Sequence, residues 1–197
     1  AGIEVPSYMQ GQSIFAKDYI EQNYIYTARD RCDETVDTIR SVRTQKYKYI
    51  RNFLPHCSHM QRSQYKEAKK MVQEAKKLFK EGKLSELQAR AFQPTRPIEE
   101  LYDLENDPYE TINLAVKDEH KETLLALRNK LKNWMIKTGD LGLIPEPILE
   151  DLGKQNGSKY AVLKNSENKS LVSDLLNIIK SNIIASTLEE PELTLLT

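Results

Sequence analysis

The stretch VDTIRSVRTQKYKYIRNF, residues 36–53, decides the fold class. Over residues 36–42, Val36, Thr38, Arg40 and Val42 fall on one face and Asp37, Ile39 and Ser41 on the other. Residues 47–53 alternate the same way, with Tyr47, Tyr49 and Arg51 opposite Lys48, Ile50 and Asn52. A period of two is the mark of a strand, because successive side chains point to opposite sides of the backbone. The link at residues 43–46 is short and polar, which predicts an antiparallel hairpin. It holds no glycine, so the turn type stays open. Just upstream, residues 24–28 (YIYTA) are aromatic and β-branched and predict a further strand. The charged run RDRCDE at residues 29–34 then reads as a loop.

Downstream the period changes. Residues 54–63 contain Pro55 and read as loop. From Gln64, Tyr65, Ala68, Met71, Val72, Ala75, Leu78 and Phe79 recur at spacings of three and four, one face of a helix ending near Gly82. Residues 85–92 read as a second, short helix. Pro94 and Pro97 break the chain, residues 99–104 (EELYDL) read as a strand, and residues 105–108 as a turn. Asp118 is placed to cap a helix running to about Lys137, with Leu124, Leu127, Leu131, Trp134 and Met135 on its buried face and Gly139 as its stop. Residues 141–150 hold Pro145 and Pro147 and read as extended, residues 153–168 as a polar linker. Leu171, Leu175, Ile178, Ile179 and Ile183 predict a last amphipathic helix; residues 1–12 read as irregular and residues 187–197 as frayed. Strands and helices in this irregular succession predict an α+β fold, a small antiparallel sheet packed against amphipathic helices. The expected organisation is a subdomain over residues 1–150, a linker at 151–169 and a helical appendage or tail at 170–197.

Lys and Arg total 29, and so do Asp and Glu, so the net charge is zero. Balanced charge gives no general attraction to nucleic acid or to an acidic membrane surface. No apolar run reaches the ~20 residues a membrane-spanning helix needs. Residues 1–10 lack a basic stretch followed by an apolar one, so no signal peptide is read there. Residue 1 is not Met, so the chain starts inside a longer protein, has been processed or has been trimmed, and missing upstream sequence is one of these readings. The two cysteines, Cys32 and Cys57, are too few for a disulfide scaffold; one bond between them is the alternative, and two reduced thiols are the favoured reading.

Motifs for chemistry are sparse. With 7 glycines and no Gly-rich cluster there is no phosphate-cradling loop. No serine sits in a nucleophile elbow. His56, Cys57 and His59 form the one metal-like cluster, but their spacing matches no zinc pattern, and a polar loop is the expectation. The Lys-rich helix from Lys66 to Lys80 is interleaved with Glu67, Glu74 and Glu81 and reads as a solvated face. Residues 29–34 place five charges at a strand end, where scaffolds commonly present ligand-contacting groups. Arg forks match sulfate or carboxylate oxygens, and carboxylates accept from sugar hydroxyls. The competing reading is an internal network that only fixes the loop.

Residues 25–56 (IYTARDRCDETVDTIRSVRTQKYKYIRNFLPH) and 96–115 (RPIEELYDLENDPYETINLA) resemble the C-terminal region of sulfatases of the heparan N-sulfatase (N-sulfoglucosamine sulfohydrolase, sulfamidase) type. The opening AGIEVPSYMQGQS resembles the segment that follows that family's catalytic core. The resemblance covers about residues 1–150. It implies a sulfuric ester or sulfamate hydrolase acting on sulfated glycans such as glycosaminoglycans, made of a large N-terminal catalytic domain and a smaller C-terminal subdomain that packs on it. The family's catalytic group is formylglycine, made from Cys or Ser in a Cys/Ser-x-Pro-x-Arg motif, and it works beside calcium. Cys32 precedes Asp33 and Glu34, and Cys57 precedes Ser58 and His59, so neither fits. Catalytic and metal-binding residues, calcium and formylglycine are therefore expected in the N-terminal domain, and none here. What the resemblance implies for this chain is a rim on the substrate pocket: Arg29, Asp30, Arg31, Glu34 and, less directly, His56 would bind the sulfated sugar. A secreted, periplasmic or lysosomal location goes with the family. The alternative is a stand-alone, non-catalytic glycan-binding or assembly module.

Overall fold

The computed structural model describes residues 6, 9 and 11–188, with side chains described to residue 180. The readings made for most of residues 1–10, for the side chain of Ile183 and for the tail beyond residue 188 lie outside the described residues.

Four strands, β1 (Ile25–Cys32), β2 (Thr35–Arg43), β3 (Tyr47–Asn52) and β4 (Glu99–Asp103), form one antiparallel sheet in the order β1-β2-β3-β4. With the helices this is the α+β fold expected. The β2–β3 hairpin closes without glycine because Thr44 does the work: its N–H donates to the Tyr47 carbonyl at 2.8 Å, and its Oγ1 accepts from the Tyr47 N–H at 2.9 Å.

The charged run at residues 29–34 is not a loop. β1 continues through it to Cys32, with a bulge between Arg29 and Arg31, and the turn is confined to Asp33 and Glu34. Asp33 takes φ 53°, a left-handed conformation that Asp tolerates better than most residues. β1 is an edge strand with nearly all of its side chains in water, so charge on both faces costs it little.

Helices α1 (Gln64–Glu67), α2 (Lys70–Lys80) and α3 (Glu86–Ala89) lie between β3 and β4. Where one long helix is expected, the chain breaks at Lys69, whose φ −84° and ψ 124° are extended. Of the expected apolar face only Val72 is buried; Tyr65 and Met71 are 67% and 78% exposed. Ser85 caps α3 with a full capping box to Gln88.

α4 (Lys121–Thr138) is the element that buries the sheet. Leu124, Leu127, Leu131 and Met135 recur at three- and four-residue spacing and pack against Val42, Tyr49 and Leu101 of β2, β3 and β4. Trp134 stacks on Tyr26 of β1 with ring centroids 4.9 Å apart and planes 1° from parallel. Asp118 does not cap α4; it begins a 3-10 turn (Asp118–His120) that tightens the entry, and His120 holds the cap position. Gly139 ends α4 at φ 66°, as expected.

β4 is secured by the segment that follows it. Asn113 Oδ1 accepts from the Leu101 N–H at 2.9 Å, and its Nδ2 donates to the Glu99 carbonyl at 3.1 Å, so one side chain blocks this sheet edge as a fifth strand would. Asp107 builds the turn between them by accepting from the Thr111 and Ile112 N–H groups at 2.7 and 2.8 Å.

Residues 141–150 are not extended. A 3-10 turn (Leu141–Leu143) leads into α5 (Glu146–Gln155), with Pro145 at the cap and Pro147 in the first turn, where a missing N–H costs nothing. The polar stretch after it forms 3-10 turns, including Lys159–Lys164, and buries Val162 fully. α6 (Leu171–Leu188) packs on α4, with Val172 buried and Leu176 against the core; Ile178, expected inward, is 56% exposed.

Replacing Leu131 by Ala should cost about 2–5 kcal/mol of unfolding free energy in urea titrations, because the cavity cannot fully close. Leu125→Ala, on the same helix but 40% exposed, should cost well under half as much.

Candidate functional site

The sheet has two chemically different faces. The pleat puts Tyr26, Val42, Tyr49 and Leu101 toward α4 and leaves Thr27, Arg29, Asp37, Ile39, Ser41, Asn52, Glu100 and Tyr102 on the other side. That second face is polar, yet Asp37, Ser41, Asn52, Glu100 and Tyr102 are all buried in it. The loop at residues 54–63 and the segment before β4 lie over it and lock together: Arg96 N–H donates to the Pro55 carbonyl at 2.9 Å and Met60 N–H to the Ala91 carbonyl at 2.9 Å. Gln61 reaches from this loop to the Val36 carbonyl at 3.0 Å.

Buried charge needs a partner, and here each carboxylate has one. Arg96 grips Asp37 through both terminal nitrogens, one bond at 2.9 Å, with both side chains almost fully enclosed. Burial, the largest single cause, works to raise the Asp37 carboxyl, but the Arg96 guanidinium, the Thr38 N–H and the Arg29 charge together outweigh it, and the net position is below the usual range. Glu100 accepts from Asn52 Nδ2 at 2.6 Å and from the Tyr102 hydroxyl. His59 stands 4.0 Å from Glu100 and is half-buried. Burial is the main cause that pushes its imidazole below the usual value; Glu100 and Asp37 pull it up, Arg96 and Arg29 push it further down.

The sequence-predicted residues divide. Asp30 pairs at 2.7 Å with Arg40, a fully enclosed guanidinium that also holds Asp140 through two bonds of 2.5 and 2.9 Å. Burial opposes the Arg40 charge, and Asp140 and Asp30 more than restore it. Arg31 pairs with Glu146 at the start of α5 and donates to the Asp33 carbonyl at 2.8 Å. Glu34 accepts from the Gln64 N–H, and that bond is the main cause holding its carboxyl below the usual range. Arg29 is different: its carbonyl accepts from Arg40, but among the described residues its guanidinium has no ion pair within 4.0 Å, while its charge bears on Asp37 and His59. His56 is exposed. The Arg29 charge thus acts on Asp37 and His59, neither of which the sequence marked as a partner of Arg29. The alternation of β2 does put Asp37 on the Ile39 side, opposite Arg29 in register, and that was the available signal.

On the core side, a groove of ≈ 360 Å³ lies between β3, α4 and α6, floored by Phe53, Leu131, Met135 and Leu176. Its one carboxylate among the described residues, Glu99, is already bound by Arg128 at 2.7 and 2.6 Å and by the Tyr49 hydroxyl at 2.5 Å. None of the sequence-predicted residues lines it. Cys32 and Cys57 are free, and among the described residues no group of three or more His, Cys, Asp or Glu could hold a metal ion.

No protein-family model matches the chain. Two curated relatives from Formosa agariphila, each described as an ulvan-active sulfatase, are similar to it: one is 39% identical over 149 residues, the other 30% identical over 165. These matches take in 75% and 79% of this chain, which spans 25% and 30% of the relatives' own length. Among solved structures, a 2-O GAG sulfatase aligns with a TM-score of 0.43 at 21% identity. A second neighbour, solved in complex with its substrate D-glucosamine-2-N,6-O-disulfate, aligns with 0.42 at 19%. Each covers 71% of this chain, which covers 22% of theirs. The curated matches support a sulfatase C-terminal region and do not single out the heparan N-sulfatase type.

Two acid-sensitive windows should appear in unfolding midpoints measured against pH. His59 is depressed in the folded state, so the unfolded chain, near 6.5, takes its proton first and stability falls as pH drops below that value. Asp37 and Glu99 are also depressed; what they contribute is present above their unfolded values and is lost as pH falls through their folded ones. His59→Gln should flatten the profile between pH 7 and 5.5 and leave the loss at lower pH in place.

Proposed function

We propose that this sulfatase-like chain is the C-terminal portion of a hydrolase acting on a sulfated glycan, and that it completes the rim of the substrate pocket. The reading is supported by the 39% identity to an ulvan-active sulfatase over three quarters of the chain. The observation that carries the rim is the exposed Arg29 guanidinium, unpaired among the described residues, on a face where the carboxylates are already satisfied. A planar fork with free donors suits a sulfate oxygen pair. Arg31 is a second contact: its pair with Glu146 is half-exposed, so its geometry can yield to a ligand at little cost. Asp30, Glu34 and His56 complete the proposed rim. Asp30 and Glu34 would chiefly set its shape, since each already holds a protein partner.

Hydrolysis itself is assigned to an N-terminal catalytic domain on which this chain would pack, with formylglycine and calcium there. The residues present here do not fit either group: neither cysteine has the required motif, and no metal-ligating cluster occurs among the described residues. No chemical step is therefore derived from this chain. The motifs favour a sulfamate or glucosamine-linked sulfate, and the curated relatives' descriptions favour ulvan; a substrate panel containing both decides.

The coding sequence upstream of Ala1 should contain a Cys/Ser-x-Pro-x-Arg motif. In the full-length enzyme, Arg29→Ala should lower kcat/KM on the glycan it cleaves about 10- to 100-fold, the loss of one or two charge-assisted hydrogen bonds. An unchanged kcat/KM removes Arg29 from the rim. An upstream region without the motif replaces the hydrolase with a stand-alone glycan-binding or assembly module.

A further inference from the structure

The groove between β3, α4 and α6 joins apolar walls to a cationic lining. α4 supplies Leu131 and Met135, and α6 supplies Leu176 and Ile179. On each helix a lysine directly follows an apolar residue, Lys132 after Leu131 and Lys180 after Ile179, and both lysines line the groove. A lysine stem is itself apolar, so it extends such a wall while its ammonium stays in water. Arg51 and Arg128 also line the groove, which sets four cations against the one carboxylate among the described residues, Glu99. That carboxylate is already satisfied: Arg128 holds it through two bonds, the Tyr49 hydroxyl donates to it, and Arg51 stands 3.7 Å away. Lys132 Nζ has a neutral partner, Asn177 Oδ1 at 3.3 Å, and Lys180 is exposed. Neither ammonium has a carboxylate partner among the described residues.

We propose that this groove binds a small amphipathic anion, an alkyl or aryl group bearing one sulfate or carboxylate. Charge complementarity carries the assignment. A void with only apolar walls favours a neutral occupant, and a bare cationic surface needs no pocket; here one space of ≈ 360 Å³ brings both together. Ligand pockets combine an apolar lining with a few polar groups in this way. The volume suits on the order of ten non-hydrogen atoms, taking ~30 Å³ for each as for a water in the liquid. The apolar body of such a ligand is buried over Met135 and Leu176, and its head group meets the two lysines, whose charge no carboxylate cancels. The groove lies on the α4 side of the sheet and Arg29 on the other, so the site is separate from the proposed rim and does not rest on the sulfatase reading.

The test follows methionine methyl signals by NMR in the intact protein, with octyl sulfate, octanoate, neutral octanol and methyl sulfate as probes. Met135 lines the groove, whereas Met60 belongs to the loop over the opposite face of the sheet and Met71 is exposed on α2. Octyl sulfate, octanoate or both should shift Met135 and leave Met60 and Met71 in place, and the tighter of the two assigns the head group. That anion should bind about tenfold more tightly than octanol, the effect of one charge-assisted hydrogen bond. Its binding should weaken with added salt. Each methylene removed from its chain should weaken binding about fourfold, and methyl sulfate should not move Met135. Lys132→Gln combined with Lys180→Gln, two changes outside the core, should remove the preference over octanol and leave octanol binding as it was. Ile179→Trp, which fills the groove from α6, should abolish binding of both octyl anions. A silent Met135, octanol that binds as tightly as the octyl anions, methyl sulfate that matches octyl sulfate, or a preference unchanged in the double variant overturns the proposal. So does a Met135 signal that moves on dilution of the protein alone, which assigns the groove to a second copy. Octyl anions that bind only after residues 189–197 are removed assign it to that segment instead, and overturn the proposal equally.

Discussion

Arg40 is the fixed point of this fold. Its side chain is fully enclosed, and a guanidinium in that position must have carboxylates around it. One comes from Asp30 on β1, the other from Asp140 just past α4, and the Arg29 and Ile39 carbonyls take further bonds. This ties together the edge strand, the centre of the sheet and the end of the long helix. It also dictates backbone elsewhere. α4 must stop so that Asp140 can turn in, and Gly139 stops it by adopting a left-handed φ. Gly142 must lack a side chain, because a Cβ there would run into Arg40 and lie 2.8 Å from Asp30 Oδ1. Such a cluster is weak evidence for net stability, but it specifies one arrangement over others, since any register slip would strand a buried charge.

Period-two alternation made the hairpin legible in the sequence, and three- and four-residue spacing made α4 legible with its buried face. Both elements bury one clean face, which is the condition under which periodicity speaks. The misreadings share the opposite condition. Residues 29–34 are strand because backbone pairing with β2 outweighs side-chain character at an exposed edge. α1 and α2 split although the apolar period runs through Lys69, because Tyr65 and Met71 stay largely exposed and bury too little to reward one continuous helix. At residues 145–147 the prolines mark a helix start, and composition alone does not separate that from an extended segment.

The candidate site was half legible for a related reason. Charge density pointed to residues 29–34, but density does not say which charges are free. That depends on partners distant in sequence: Asp140 and Glu146 for Arg40 and Arg31, and the Gln64 N–H for Glu34. Arg96 lies 59 residues from Asp37, and no local pattern announces the pair. His59 was visible only as part of a metal-like cluster, whereas its setting is made by Glu100 from another strand.

Edge protection and the proposed ligand recognition draw on the same residues here. A sheet with two open edges invites pairing with another chain. β4 is closed by Asn113, a local side-chain plug that leaves nothing over for binding. β1 is guarded instead by charge and by a bulge between Arg29 and Arg31, and charge is a guard that must stay exposed to work. Once Asp30 is drawn inward to Arg40 and Arg31 is turned to Glu146, Arg29 is the guard left facing the polar side of the sheet. The network that satisfies the buried arginines therefore also selects which edge charge is available to a ligand. A substitution at Asp140, remote from the site in sequence, would act on the site by releasing Arg40 to compete for Asp30 and disturbing the bulge that aims Arg29.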